Sequence, residues 1–459
     1  MITKFTVANF LSFQEPAILS FAVKKTEKNH PDSTFCPIKK SNAKFVKSIA
    51  IYGANASGKS NLLKSLEFFR YFTTEFRSHS EESIKIPQIV EFLLNEETRN
   101  KPSFFEVEII IDDELYIYGF KVSKKGVAEE WLNKKKGKKN FFTRKKQKIE
   151  LARDFEKQGK ALISKTREDV LFLNILAEFN VEIARKIKEI IARIIIVTNN
   201  NDNDPRAYDK AVKSYCDNDN YRKIVNELIY EADFGIKEIR ANYEYLPFNE
   251  LQNNTIKKMP ENLKKPLAEY FQNLENASDK LVKDLDKKLN RKNSNPRSNL
   301  ALDYQIYSIH NLFNKKGEIV NEVGFEFFEA ESQGTKKMFI MASLFAKILS
   351  DGGLLIIDEI DSAMHPLLCQ FIVSKFNSYK GNKKDKQKNP CQLLFTTHDT
   401  NIINQDILRK DQIYFVEKNQ FEASELFSLA DIGERDGVSY SKRYLEGRYG
   451  AIPNINSGN

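Results

Sequence analysis

The sequence predicts an α/β fold with a β-rich N-terminal lobe and a helical insertion. Three observations predict it. A short apolar strand, Lys47–Tyr52, runs directly into a glycine- and serine-containing loop and then into a segment where Leu62, Leu66, Phe69 and Phe72 recur at helical spacing. Two further buried-strand runs, Leu354–Ile357 and Gln392–Phe395, each end in polar residues, as strands of open α/β sheets do where ligands bind. Between these ends, from about Leu151, the apolar pattern lengthens to helical segments.

The elements follow in order. ITKFTVANF and PAILSFAV alternate apolar and polar residues and read as two strands joined by a turn around Ser12–Pro16. Phe104–Ile111 and Glu114–Val122 read as a hairpin whose turn is Asp112-Asp113. In the middle region Leu267, Phe271, Leu274, Leu281, Leu285 and Leu289 form an apolar stripe of a core-facing helix. The polar runs Asn199–Asp204, Lys287–Arg297 and Lys380–Asn389 read as loops or linkers. This pattern divides the chain into an N-terminal part over 1–150, a helical insertion over 151–300 and a C-terminal part over 301–459, with no internal repeats.

Composition narrows the class. A chain of 459 residues, 41% hydrophobic and 12% aromatic, is long and apolar enough for two or three packed domains. No stretch approaches the roughly 20 unbroken apolar residues of a membrane span, and MITKFTVANF lacks the basic-then-apolar order of a signal peptide. A cytoplasmic protein without a membrane partner is expected. Cys36, Cys216, Cys369 and Cys391 are scattered and lack metal-ligand or disulfide-framework spacing. The net charge of +9 is compatible with nucleic-acid binding, and equally with a lysine- and asparagine-rich composition.

Three motifs carry chemistry. Gly53-Ala54-Asn55-Ala56-Ser57-Gly58-Lys59-Ser60 fits GxxxxGK[ST] between a strand and a helix. Gly53, Asn55, Ala56, Ser57, Gly58 and Asn61 are expected to surround the phosphates of ATP, with Lys59 neutralising their charge and Ser60 offering a hydroxyl to Mg²⁺. Asp358 and Glu359 close the second strand, Asp358 as a water-mediated Mg²⁺ ligand and Glu359 as the base that polarises the attacking water. His398 closes the third strand, where it would contact the γ-phosphate.

A fourth segment, Glu331-Ser332-Gln333-Gly334-Thr335-Lys336-Lys337, precedes a helical run and lies about twenty residues before the acid strand. It resembles the ABC signature LSGGQ, with Ser332 at the serine and Gly334 at the second glycine, while Gln333 and Thr335 depart from the pattern. The order phosphate loop, large insertion, signature, acid strand and histidine strand is that of ABC ATPases of the Rad50/SMC/RecF branch. Ile360–His365 then stands at the D-loop, with His365 in place of the usual aspartate, and Gln88 is a candidate Q-loop residue.

VANFLSF, YGANASGKSNLL, SQGTKK, IIDEIDSAMHP, LLFTTHDT, DQIYFVEK and KRYLEGRYGAIP together resemble the AAA15/AAA21 group of prokaryotic ABC-type ATPases, which includes RloA-, AbiLi- and AriA-like proteins. The resemblance covers both ends of the chain and not the middle, from about Leu151 to Asn299. It implies a homodimer or higher oligomer built around shared ATP sites. It also implies a role in defence against phages beside a partner effector, a Toprim-type or related nuclease.

Two other readings compete. A RecF- or Rad50-like ATPase would itself grip DNA, and Trp131–Lys148, with nine Lys or Arg, no acid and Phe141-Phe142 between the charges, is the segment that would do so. A self-contained Toprim nuclease needs clustered acids after His398, and the 61 remaining residues lack them. Arg443 and Arg448 read as salt-bridge formers that could alternatively reach across an interface.

Overall fold

The computed structural model describes residues 1–24, 30–38, 41–76, 90–135, 139–198, 205–232, 235–247, 300–362, 364–379, 390–435 and 437–453. The apolar stripe from Leu267 to Leu289, the three polar runs and Gln88 lie outside these residues. The chain forms two compact units, one of 1–199 with 347–459 and one of 200–346.

The first unit holds two large sheets. Seven strands form the N-terminal lobe in the order Lys148–Leu151, Lys139–Lys145, Gly126–Lys134, Glu114–Ser123, Ser103–Ile111, Ile2–Ala8, Ala17–Ser20, all antiparallel. The two opening strands and the Phe104–Val122 hairpin emerge as their alternation predicts. Asp112 and Asp113 both take positive φ, 49° and 64°, the paired left-handed turn that a two-residue hairpin requires.

The second sheet has the order Ile194–Val197, Gly353–Ile357, Cys391–Thr396, Ser48–Tyr52, Ile413–Lys418, Ser424–Ser428. The first five strands run parallel and the last pairs antiparallel at the edge. Its central strands are buried along nearly their whole length, which is why they read as unbroken apolar runs rather than alternating ones. Ile194–Val197 was hidden in the sequence at the end of a helical stretch. Its β-branched run is the signal, but only pairing with Leu354–Ile357 makes it a strand of this sheet.

The helix Lys59–Thr74 joins the two sheets. Leu62, Leu66, Phe69 and Phe72 are all buried, as their spacing predicts. They share one apolar cluster with Phe5 and Phe105 of the lobe and with Ile49, Ile51, Ile356 and Leu394 of the parallel sheet. Phe69 stacks on Phe120 at 5.5 Å and meets Phe5 edge-on at 5.6 Å, so truncating it to alanine would cost about 3–5 kcal/mol. Helices Phe172–Glu178 and Glu182–Ala192 follow, and Asn174 donates to the Phe72 carbonyl at 3.2 Å, tying the first of them to the last turn of Lys59–Thr74.

The second unit is not purely helical. Helices Pro205–Asp217 and Asp219–Glu231, the latter capped by the Asn218 side chain, accompany a three-stranded antiparallel sheet of Glu238–Pro247, Leu300–Phe313 and Ile319–Glu326. The expectation of a helical middle therefore misses the strand Glu238–Pro247, whose pairing partner lies about sixty residues later in the chain. Tyr215 anchors this unit, packing on Phe339 at 5.6 Å and donating its hydroxyl to the Ile239 carbonyl.

Candidate nucleotide site

The loop after Ser48–Tyr52 is held from within and from behind. The Lys59 ammonium is buried and donates to the Gly53 and Ala54 carbonyls at 2.7 and 3.0 Å, closing the loop on itself. Ala56 at φ 60° and Gly58 at φ 116° supply the left-handed turns of the loop, and the Ser57 N–H closes back on the Ala54 carbonyl at 3.2 Å. A Cβ on Gly53 would strike the Val416 carbonyl, and one on Gly58 would strike the Ser424 hydroxyl. Gly53 is therefore required by close approach to backbone, and Gly58 by its left-handed φ together with the crowding around it.

Two residues that the sequence did not single out brace the loop. Ser424 donates to the Ser57 carbonyl at 2.6 Å and lies 2.8 Å from the Ser12 hydroxyl. Asn61 directs its amide to Ser12 at 2.9 Å. Ser12 belongs to the predicted turn of the first hairpin, and nothing in its local sequence distinguishes it from an ordinary turn serine.

Strand order brings the other motifs alongside. Gly353–Ile357, Cys391–Thr396 and Ser48–Tyr52 are adjacent and parallel, so the segments leaving their C-terminal ends share one edge of the sheet. Asp358 accepts from the Thr396 hydroxyl at 2.6 Å, and the Glu359 N–H donates to that same oxygen at 2.7 Å. Asp361 accepts from the His398 N–H at 3.2 Å through one carboxylate oxygen. Thr396 and Asp361 also escaped the sequence reading, although both lie inside quoted motifs.

The electrostatics describe one cluster. Burial pulls the Lys59 ammonium below the usual lysine range, while the nearby carboxylates of Glu359, Asp358 and Asp361 oppose that fall. For His398, desolvation and then the Lys59 charge lower the imidazole below its ordinary 6.5, against the same three carboxylates. The balance favours the neutral ring.

The chemistry of these residues fits a nucleotide and its magnesium ion. Ser57 Oγ is buried without a hydrogen-bond partner among the described residues, in a loop that opens a helix N-terminus, the end of a helix that suits phosphate oxygens. Ser60 and Asp358 offer only hard oxygen donors, the set preferred by Mg²⁺. Among the described residues no three His, Cys, Asp or Glu side chains gather as a metal cage.

The signature-like segment lies in the second unit. Ser332 is exposed and caps the helix Gln333–Asp351, accepting from the Thr335 N–H at 3.1 Å, with the two hydroxyls 2.8 Å apart. A Cβ on Gly334 would meet nothing nearer than Ser332 Oγ at 3.7 Å among the described residues, so packing within the chain does not demand glycine there. His365 caps the helix Pro366–Ser378, its Nδ1 accepting from the Leu367 N–H at 3.3 Å.

Several cations of the basic segment Trp131–Lys148 have acidic partners, while Lys145 and Lys146 are exposed. Lys134 pairs with Glu114, Lys135 with Glu108 and Lys148 with Glu150, while Arg144 and Phe142 are buried. Lys136 and Lys138 lie outside the described residues. Arg443 pairs with Glu434 and Arg448 with Glu446, the salt-bridge reading of both. No helix among the described residues is long and apolar enough to cross a membrane.

Residues 48–404 match the family described as "AAA domain, putative AbiEii toxin, Type IV TA system". No curated protein matches the chain. Among solved structures, the SMC head domain from Thermotoga maritima is similar at TM-score 0.40 and 13% identity, covering 93% of this chain and 98% of that one. An SMC head bound to the C-terminal winged-helix domain of ScpA gives 0.39 and 14%, covering 93% and 97%. The SMC head with an extended coiled coil bound to the C-terminal domain of ScpA, from Pyrococcus furiosus, gives 0.38 and 14%, covering 98% and 99%.

Proposed function

The chain belongs to this AAA-domain family, and from that premise we propose that it is an ABC-type ATPase that pairs around ATP and thereby regulates a partner effector. The observation that carries the reading is the convergence of Lys59, Asp358, Glu359 and His398 at the ends of three adjacent parallel strands.

In this reading backbone N–H groups of the loop and of the helix N-terminus it opens receive the phosphates of ATP, and Lys59 exchanges the Gly53 and Ala54 carbonyls for phosphate oxygens. Ser60 and Asp358 hold Mg²⁺, which when bound neutralises phosphate charge. Glu359 takes the proton of the attacking water, and His398 donates a ring N–H to the γ-phosphate. Ser332 and Gly334 of a second copy complete the site. The exposed Ser332 and the open space beside Gly334 support this, because both leave the helix N-terminus accessible to an outside phosphate.

The toxin–antitoxin wording of the family description supports a role in defence; within that reading the motif resemblance makes the ATPase the sensor or regulator of a nuclease effector in the cytoplasm. Hydrolysis then resets a pairing switch.

The test is phosphate release with light scattering. The wild-type protein should turn over ATP, Lys59→Ala should lose nucleotide binding, and Glu359→Gln should bind ATP, dimerise and turn over at least about a hundredfold more slowly. Glu359→Gln hydrolysing at the wild-type rate would sink the assignment of the base, and a monomer under all conditions would sink the shared site. Restriction of phage growth should require both this chain and the effector encoded beside it.

A further inference from the structure

Thr396 ends the central strand Cys391–Thr396 and is fully buried. In register it lies opposite Ile51 of the strand that leads into the phosphate loop, and the next residue, Thr397, donates its N–H to the Ile51 carbonyl at 3.2 Å. On its other side it holds both acids. A backbone N–H can only donate, so the Thr396 oxygen accepts from Glu359 N at 2.7 Å. Its single proton is then free to go to Asp358 Oδ1 at 2.6 Å. The hydroxyl proton thus has a defined direction, and Asp358 is held through one of its two oxygens.

Glu359 itself has φ 53°, a left-handed conformation that residues with a Cβ avoid. Three bonds pin it there. Its N–H is on the Thr396 hydroxyl, its carbonyl accepts from Ser362 N at 2.9 Å, and the following Ile360 N–H donates to the Thr396 carbonyl at 3.0 Å. Two of the three end on Thr396.

We propose that Thr396 is the positioning residue of the acid pair, fixing the orientation of Asp358 toward the metal and the left-handed turn that aims Glu359. A buried threonine kept only for packing could be replaced by valine with an effect on stability alone, since the two have nearly the same shape. A positioning threonine could not. Valine leaves the Glu359 N–H without its acceptor, releases Asp358 to rotate, and lets the strained turn relax toward commoner backbone angles.

This inference rests on the hydrolysis reading given above, and the experiment separates the two. The full chain is prepared as wild type, Thr396→Val and Thr396→Ser, and two quantities are measured: steady-state ATP turnover, and the Mg²⁺ concentration that half-saturates binding of a fluorescent ATP analogue. Thr396→Val should lower kcat by about ten- to a hundredfold and raise the half-saturating Mg²⁺ by about tenfold, with KM for ATP changed by less than about threefold. Thr396→Ser keeps the hydroxyl and should return both quantities to within about threefold of wild type. The proposal is overturned if Thr396→Val leaves kcat and Mg²⁺ half-saturation within about twofold of wild type, or if Thr396→Ser fails as badly as valine. Should valine not fold, as judged by a thermal melt, Thr396→Ala takes its place under the same two criteria. A wild-type protein that binds nucleotide without turnover overturns the hydrolysis reading, while the Mg²⁺ titration still decides Thr396. One that binds no nucleotide overturns both.

Discussion

Replacing Arg144 by methionine should destabilise the N-terminal lobe more than any surface charge change. Its guanidinium is fully buried and donates to the carbonyls of Lys146, Val170 and Arg167 at 2.7, 2.6 and 2.9 Å, with Glu130 at 3.5 Å. Glu130, equally buried, accepts from Phe172 N at 2.7 Å, Leu173 N at 2.9 Å and the Tyr118 hydroxyl at 3.1 Å, and so caps the helix Phe172–Glu178. Removing one member of a buried pair costs about 3–5 kcal/mol, because the other charge is left uncompensated. Part of that cost disappears if the survivor is neutral, so Arg144→Met in a Glu130→Gln background should cost about 2 kcal/mol less. Burial pushes the Glu130 carboxyl above its ordinary 4.5, against Arg144 and the N–H donors, so the folded state holds the proton more tightly than the unfolded one. Stability from this group is therefore present below pH 4.5 and lost as pH rises, and loss of Arg144 steepens that decline. The deficit of Arg144→Met should be smaller at pH 5 than at pH 8. Trp131, the single tryptophan, sits beside Glu130 on the same strand and reports lobe unfolding in a urea titration followed by fluorescence. A loss under about 1 kcal/mol, or equal losses in the two backgrounds, would refute the pairing argument.

Two further outcomes follow from packing and charge. Gly58→Ala places a side chain at φ 116° against the Ser424 hydroxyl, and the resulting strain of about 1–3 kcal/mol should weaken nucleotide binding about tenfold or more in a fluorescence titration. Adding Ser424→Ala should not restore binding, because the backbone angle is unchanged and the Ser12 hydroxyl and the residue 424 Cβ still lie within 3 Å of the new side chain; full recovery would refute the strain argument. For Glu108, burial raises the carboxyl, but Lys4 and Lys135 outweigh it and hold it below 4.5. Its contribution is thus present above pH 4.5 and lost as pH falls, so Glu108→Gln should lower the melting temperature at pH 7 and match wild type near pH 3. An equal deficit at both pH values would contradict this.

What was legible in the chain was local. The loop Gly53–Ser60 announces itself because its glycines are demanded by close approach or by backbone angle and its strand and helix adjoin it. The helix face Leu62, Leu66, Phe69, Phe72 and the Asp112-Asp113 hairpin are likewise written in windows of a few residues, where periodicity and turn chemistry act. The tertiary structure decided whatever depends on pairing between distant segments. It placed Ile194–Val197 at the edge of the parallel sheet, and paired Glu238–Pro247 with Leu300–Phe313. It paired Lys134, Lys135 and Lys148 of the basic run with acids, and brought Ser12 and Ser424 behind the loop and Thr396 between the two acids. A hydroxyl on its own carries no signal, since its meaning lies in which donor and acceptor the folded backbone sets within 3 Å of it. The sequence by itself therefore determined that a phosphate-binding loop exists, and the fold determined what holds that loop and the acid pair in one geometry.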